Sequence, residues 1–246
     1  MSNPGSAGEK IHPHPMFRHP TDILIWAVIA MQILIAIGAY AFLPPVVAIH
    51  WGLTGQANNY GPKWMATLLF PAMSIVVWLL GVRQVAGPRL SGRLQHITNA
   101  QVRSMLFVGI ILFLLVIQIA GTARDLGMAI DLPFIVNLAL AVLFIFFGNY
   151  MGKLRRNFWL GIRTPWTLAS DFVWERTHRI GGWLFVAVGL LSIPLSFVSM
   201  FRLRVMLPLI LLVVIFLFLY SYSCYRQQTQ ENHEPLSPPF DESNED

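Results

Sequence analysis

Charge is scarce in this chain. Only 12% of its 246 residues are Asp, Glu, Lys or Arg, and 55% are apolar, whereas a soluble domain carries about 25% charged residues. A water-exposed globule is therefore excluded, because too little charge is present to coat one. Cysteine is nearly absent as well. Cys224 is single, which excludes an intramolecular disulfide, and its place near the end of the last apolar run suits a small apolar filler. Charge is missing altogether from six stretches of about 20 residues, at 23–43, 64–82, 104–123, 132–152, 180–201 and 205–225. With no carboxylate in any of them, the charged relays typical of coupled transporters are lacking. There is no Walker A loop, no Gly-x-Ser-x-Gly and no pair of metal-binding histidines on one helical face. The expectation is of no catalytic residues, no cofactor, no metal and no enzyme activity.

What remains is apolar length. A helix rises about 1.5 Å per residue, so about 20 apolar residues cross the hydrocarbon core of a bilayer. Only helices and closed barrels satisfy their own backbone there. Barrel strands alternate, and the run from Ile110 to Ile117 does not. The fold class is therefore all-α, a polytopic transmembrane bundle of six helices. Six crossings place alternate connections on the same side, and one side then holds 13 of the 17 basic residues. The positive-inside rule puts that side, with both termini, in the cytoplasm, where basic loops also touch anionic lipids. Ala39-Tyr40-Ala41 has the small-residue spacing of a cleavage site, but the apolar run before it is long for a signal core. An uncleaved first span is expected.

Four regions are read along the chain. Residues 1–21 are a disordered cytoplasmic arm, rich in Pro and containing His12, His14 and His19, a solvated segment rather than a metal site. Residues 22–123 form an N-terminal half of three helices, the first capped by Thr21 or Asp22. Its outer loop 44–63 begins with strand-like residues and continues with turn chemistry, Asn58-Asn59-Tyr60-Gly61-Pro62. Residues 124–225 form a C-terminal half of three helices, and 226–246 an acidic disordered tail. Pro71, Pro194 and Pro208 fall inside spans, where they can kink a helix. Gln118 and Asn137 are expected to make interhelical hydrogen bonds.

The connector 153–179 is the most distinctive segment. It sets Phe158, Trp159, Trp166, Phe172 and Trp174 among six basic residues, a composition that favours the headgroup zone. Ser170 suits a helix cap over 171–180, with Asp171 at its positive end. Glu175 and Arg179 are spaced for an ion pair, and Trp174 and His178 share a face. His178 beside Asp171 and Glu175 can be drawn as an acid–base group, and Arg163 as a phosphate or carboxylate clamp. For each there is a plainer alternative, a packed histidine and a lipid or helix-end contact.

Two blocks of this sequence resemble the SdpI family of bacterial membrane proteins, known from immunity to a secreted killing peptide. The first, Leu43-Pro44, His50-Trp51, Gly55, Tyr60-Gly61 and Lys63, is similar to a domain of unknown function (DUF1648). That block often has an acidic residue shortly before its Tyr-Gly, where this chain has Asn58-Asn59. The second runs from Gly148-Asn149 through Asn157, Gly161-Ile162-Arg163-Thr164-Pro165-Trp166-Thr167 and Trp174 to Thr177-His178 and Gly182. The resemblance implies a multi-pass protein of the bacterial inner membrane that gives immunity to, or senses, an antimicrobial peptide or envelope ligand and signals inward. Its implied partners are the bilayer with its anionic lipids, such a peptide, and a cytoplasmic regulator, with no direct nucleic-acid contact. The ligand-binding set expected in the outer loop is His50, Trp51, Gly55, Asn58, Tyr60 and Lys63. The cytoplasmic motif set is Asn149, Asn157, Gly161, Arg163, Thr164, Pro165, Trp166, Thr167, Trp174, Thr177, His178 and Gly182. Two rivals stand beside this reading. One is a permease or lipid translocator with a polar path past Gln118, Asn137 and Asn149. The other is a lipid-directed enzyme built on His178 and Arg163.

Overall fold

The computed structural model describes residues 20–52, 55–83, 93–157, 160–199 and 202–231. The N-terminal arm with its three histidines, the end of the acidic tail, Gly87-Pro88, Phe158 and Trp159 lie outside the described residues. In chain order the elements are α1 (Pro20–Tyr40), β1 (Val46–Trp51), β2 (Ala57–Pro62), α2 (Lys63–Arg83), α3 (Arg93–Asp125), α4 (Leu132–Met151), α5 (Pro165–Ala169), α6 (Asp171–Ser196) and α7 (Arg202–Glu231). All but β1, β2 and the five-residue α5 are long and apolar enough to cross a membrane, six helices among the described residues. Their outward faces are apolar too: Leu34, Ile37, Val142, Trp183 and Leu212 are each more than half exposed, which suits lipid and not water. The protein is a multi-pass membrane bundle.

Two groups of three helices make up the bundle. α1, α2 and α3 pack on one another; so do α4, α6 and α7; α3 against α4 joins the groups. Each group has its own apolar core. Ile25, Val28, Ile29, Val108 and Ile111 fill the first, and Val188, Val213 and Leu217 the second. Aliphatic cores give shape complementarity, but within lipid no hydrophobic force holds helices together. The second group therefore relies on small residues. A side chain at Gly148 would meet the Gly182 carbonyl at 2.6 Å, and one at Gly189 would meet the Ala141 carbonyl at 2.5 Å. Ala141 and Gly148, and Gly182 and Gly189, are seven residues apart, two turns along one face. Backbone touches backbone along this seam.

Several local expectations need correction. α1 starts at Pro20, so Thr21 and Asp22 lie in its first turn and not ahead of it. Asn58-Asn59-Tyr60-Gly61-Pro62 is a strand, not a turn: β2 pairs antiparallel with β1, from Val46 opposite Pro62 to Trp51 opposite Ala57. The chain reverses ahead of Asn58 instead: the Gly55 N–H donates to the Gly52 carbonyl at 2.9 Å, and Gly55 takes φ +79°. The helix capped by Ser170 does not stop at 180; α6 runs unbroken to Ser196. At 26 residues it is about 39 Å long, longer than the hydrocarbon core of about 30 Å. α7 continues to Glu231, so the tail begins as helix. Helices continue through Pro71, Pro194 and Pro208.

Candidate functional site

The two sets of candidate residues lie at opposite ends of the bundle. At one end sits the β1–β2 hairpin. Lys63 fastens its base: the ammonium donates to the Tyr40 carbonyl at 2.8 Å and lies 4.5 Å from the Tyr40 ring centre. The tip is fastened by α3, since Arg124 Nη2 donates to the Gly55 carbonyl at 2.7 Å. Gly55 also packs on Pro133 at the start of α4, so closely that a Cβ there would come within 2.5 Å of the ring. Positive φ and close approach together make this a glycine position. Across the strands, exposed His50 donates from Nδ1 to Asn58 Oδ1 at 2.6 Å. The exposed N–H of Tyr60 is occupied by Asn59 Oδ1 at 2.9 Å.

Between the hairpin and the end of α3 lies an open groove of about 590 Å³, lined among others by Trp51, Tyr60, Gln56, Arg124 and Asp125. Of the six residues expected in the outer loop, Trp51 and Tyr60 line this groove. His50 and Asn58 form a bonded pair, Gly55 lies at the tip, and Lys63 is spent as a fastener on the end of α1. Arg124 and Asp125 were missed by the sequence reading because they end a helix that looked like plain membrane span. Behind them, Asp131 holds Arg202 through both carboxylate oxygens at 2.7 and 2.8 Å, tying α4 to α7.

At the other end the described connector residues ahead of α6, 153–157 and 160–170, fold onto α6 and α7 through a relay of hydrogen bonds. Trp174, fully buried, donates its indole N–H to the Leu154 carbonyl at 2.7 Å. His178, 1% exposed, stacks on Trp174 with ring centres 3.9 Å apart. Its Nδ1 lies 2.9 Å from the Trp174 carbonyl, and its Nε2 accepts from the Ile162 N–H at 3.0 Å. A carbonyl on one side and an N–H on the other fix the neutral tautomer with the proton on Nδ1. Gly161 makes the close approach by taking φ +110°; a Cβ there would overlap His178 Nε2. Leu154 and Ile162 of the connector are thus both clasped to α6.

The remaining motif residues complete the clasp. Thr164 caps α5 in a capping box with Thr167, and Pro165 takes the first turn, where its missing N–H costs nothing. Thr167 Oγ1 donates to the Ile162 carbonyl at 2.8 Å. Thr164 shares a hydrogen bond with Ser221 of α7 at 3.1 Å, and Trp166 packs on Phe218 and Tyr222. Asn157 Oδ1 accepts from the Leu160 N–H at 2.7 Å. Thr177 is fully buried and Gly182 lies in the α4–α6 seam. Asn149 is exposed and donates to its own helix at Ile145. Arg163 is exposed.

Three expectations change here. Glu175 pairs with Arg155 at 2.7 Å rather than being left to Arg179, and Asp171 pairs with Arg156 at 2.8 Å. Trp174 is a core residue, not a headgroup aromatic. The acid–base drawing of His178 gives way to two backbone partners. The amide nitrogens of the residues proposed for a path are engaged: Gln118 Nε2 donates to the Gln32 backbone carbonyl at 2.9 Å between α1 and α3. Asn137 Nδ2 donates to Ser192 and Ser196 between α4 and α6.

These features define a polytopic membrane protein with a strand hairpin at one end and a clasped aromatic connector at the other. Residues 153–223 match the SdpI/YfhL protein family, and residues 27–75 match a domain of unknown function, DUF1648. "Immunity protein SdpI" of Bacillus subtilis (strain 168) is 23% identical over 181 residues, covering 72% of this chain and 82% of the relative. The chain therefore carries an SdpI/YfhL segment behind a DUF1648 segment. No solved structure matches it.

Proposed function

We propose that this is an immunity-type membrane protein whose hairpin end faces the outside and receives a secreted antimicrobial peptide or another envelope ligand. The observation that carries the reading is the groove under the hairpin. It is preformed, because the strands are held at base and tip by Lys63 and Arg124, and it presents Trp51 and Tyr60 beside one cation and one carboxylate. Rigid aromatics with a few placed polar groups are what a peptide-sized ligand needs. The similarity to an immunity protein supports the same reading, and the basic bias of the connector side supports its placement in the cytoplasm. There the clasped connector contacts anionic lipid and is the surface that a cytoplasmic regulator would read.

The test is expression in a bacterium sensitive to a panel of secreted antimicrobial peptides, with survival and binding to the purified protein measured together. Protection by the wild type is expected for at least one peptide. Trp51→Ala should weaken its binding about 30-fold, the ~2 kcal/mol of a buried aromatic anchor. Unchanged survival and binding across the panel, with Trp51→Ala silent, would sink the proposal.

A further inference from the structure

Three uncharged polar residues sit in the core of α1, α2 and α3, and they leave much of their hydrogen-bonding capacity unspent. Gln32 and Ser74 are fully buried and Gln118 is 1% exposed. Gln118 uses its side-chain N–H₂ on the Gln32 backbone carbonyl. Four other atoms have no hydrogen-bond partner among the described residues: both amide atoms of Gln32, the Gln118 carbonyl oxygen and the Ser74 hydroxyl.

These groups share one region. Gln118 touches Gln32 directly. α2 packs on α1, on α3 and on the hairpin, and Ser74 stands too far from the hairpin to be covered by it. Counted at about 1.5 Å per residue from the hairpin end, Gln118, Gln32 and Ser74 lie about 10, 12 and 16 Å deep. Ser74 is therefore buried against α1 and α3, beside Ile75, which packs into the same core. Orphaned amides at this depth are costly in lipid. Apolar side chains would fill the same space without that cost, and the surrounding positions (Ile29, Ile111, Leu115) do so.

We infer that Gln32, Gln118 and Ser74 form a buried hydration site within the membrane span that holds water between the three helices. The donors and acceptors suit water well. The Gln32 side-chain N–H₂ and the Ser74 hydroxyl donate to it, and the side-chain oxygens Oε1 of Gln32 and Gln118 accept from it, giving the two to four partners that an internal water takes. The inference is independent of the immunity reading, since it concerns neither the groove nor the connector.

The test uses the full chain in lipid nanodiscs with ¹⁵N-labelled glutamine side chains. Magnetisation transfer from water is recorded before and after adding a membrane-impermeant gadolinium chelate. Exposed Gln56 should show a water cross-peak that the chelate quenches. The Gln32 amide, assigned by its loss in Gln32→Leu, should show one that survives. Ser74→Ala, which keeps the helix and removes one partner, should lower that surviving peak at least about two-fold. A Gln32 amide with no water peak beside a visible Gln56 peak overturns the inference. So does a Gln32 peak quenched along with Gln56, which would mean that bulk solvent reaches the site.

Discussion

Replacing Gly161 by alanine tests the clasp at its tightest point. Two costs are expected. The backbone holds φ +110° there, a conformation that strains an L-residue by about 1–3 kcal/mol. The new methyl would also overlap His178 Nε2 and part it from the Ile162 N–H, leaving a buried donor and acceptor unmet for about another 1–3 kcal/mol. Gly161→Ala should therefore destabilise the protein by about 2–6 kcal/mol. Two other glycines separate the terms. Gly127 has φ +89° with nothing near its absent Cβ, so Gly127→Ala should cost strain alone. Gly152, at φ −67° and also open, should tolerate alanine within about 0.5 kcal/mol. The assay is equilibrium unfolding in mixed micelles, titrated with SDS and followed by circular dichroism. A double-mutant cycle completes it: on a His178→Ala background the cost of Gly161→Ala should fall by at least about 1 kcal/mol. If Gly161→Ala proves no worse than Gly127→Ala, or the cycle shows no coupling, the clasp is wrong.

Other outcomes follow from the same contacts. Gly182→Val places a branched side chain against the Gly148 carbonyl; a loss of at least about 2 kcal/mol by the same titration is expected, while Leu190→Val, on an exposed face of α6, should be near neutral. Asn137→Leu should cost about 0.6–1.7 kcal/mol, the range for a hydrogen bond between membrane helices, read as a shift of the unfolding midpoint. Lys63→Met removes both the Tyr40 hydrogen bond and the ring contact, so limited proteolysis of reconstituted protein should cut near the hairpin faster than in wild type, with the six spans still protected. Asp131→Asn takes the carboxylate from Arg202, whose side chain is only 13% exposed, so by the same titration it should cost more than the ~1 kcal/mol of a fully exposed pair.

The spans were legible because a single physical demand, about 20 uncharged residues, writes them into the sequence. Where competing signals meet, the reading failed. Asn58, Asn59, Gly61 and Pro62 carry turn composition, yet pairing with Val46–Trp51 makes them a strand, since tertiary pairing overrides a weak local preference. The charges of 171–179 looked like the limit of a membrane helix, although a helix longer than the bilayer core carries them beyond it. Glu175 found Arg155 because the connector folds back, which no i, i+4 count reveals. The family blocks located Gly161, Trp174 and His178 without explaining them. Their relay needs the Leu154 carbonyl and the Ile162 N–H, backbone groups that leave no mark in residue types. Arg124 and Asp125 were hidden for the opposite reason: charge at the end of an apolar run reads as a boundary, not as a wall of a groove.

The most direct test is the sidedness of the two ends. In a Cys224→Ala background, Tyr60→Cys on the exposed strand should react with a membrane-impermeant maleimide added to intact cells, while Arg163→Cys in the connector should react only after the inner membrane is opened. Labelling of Arg163→Cys from outside, with Tyr60→Cys silent until permeabilisation, would turn the molecule over and remove the hairpin from any secreted ligand.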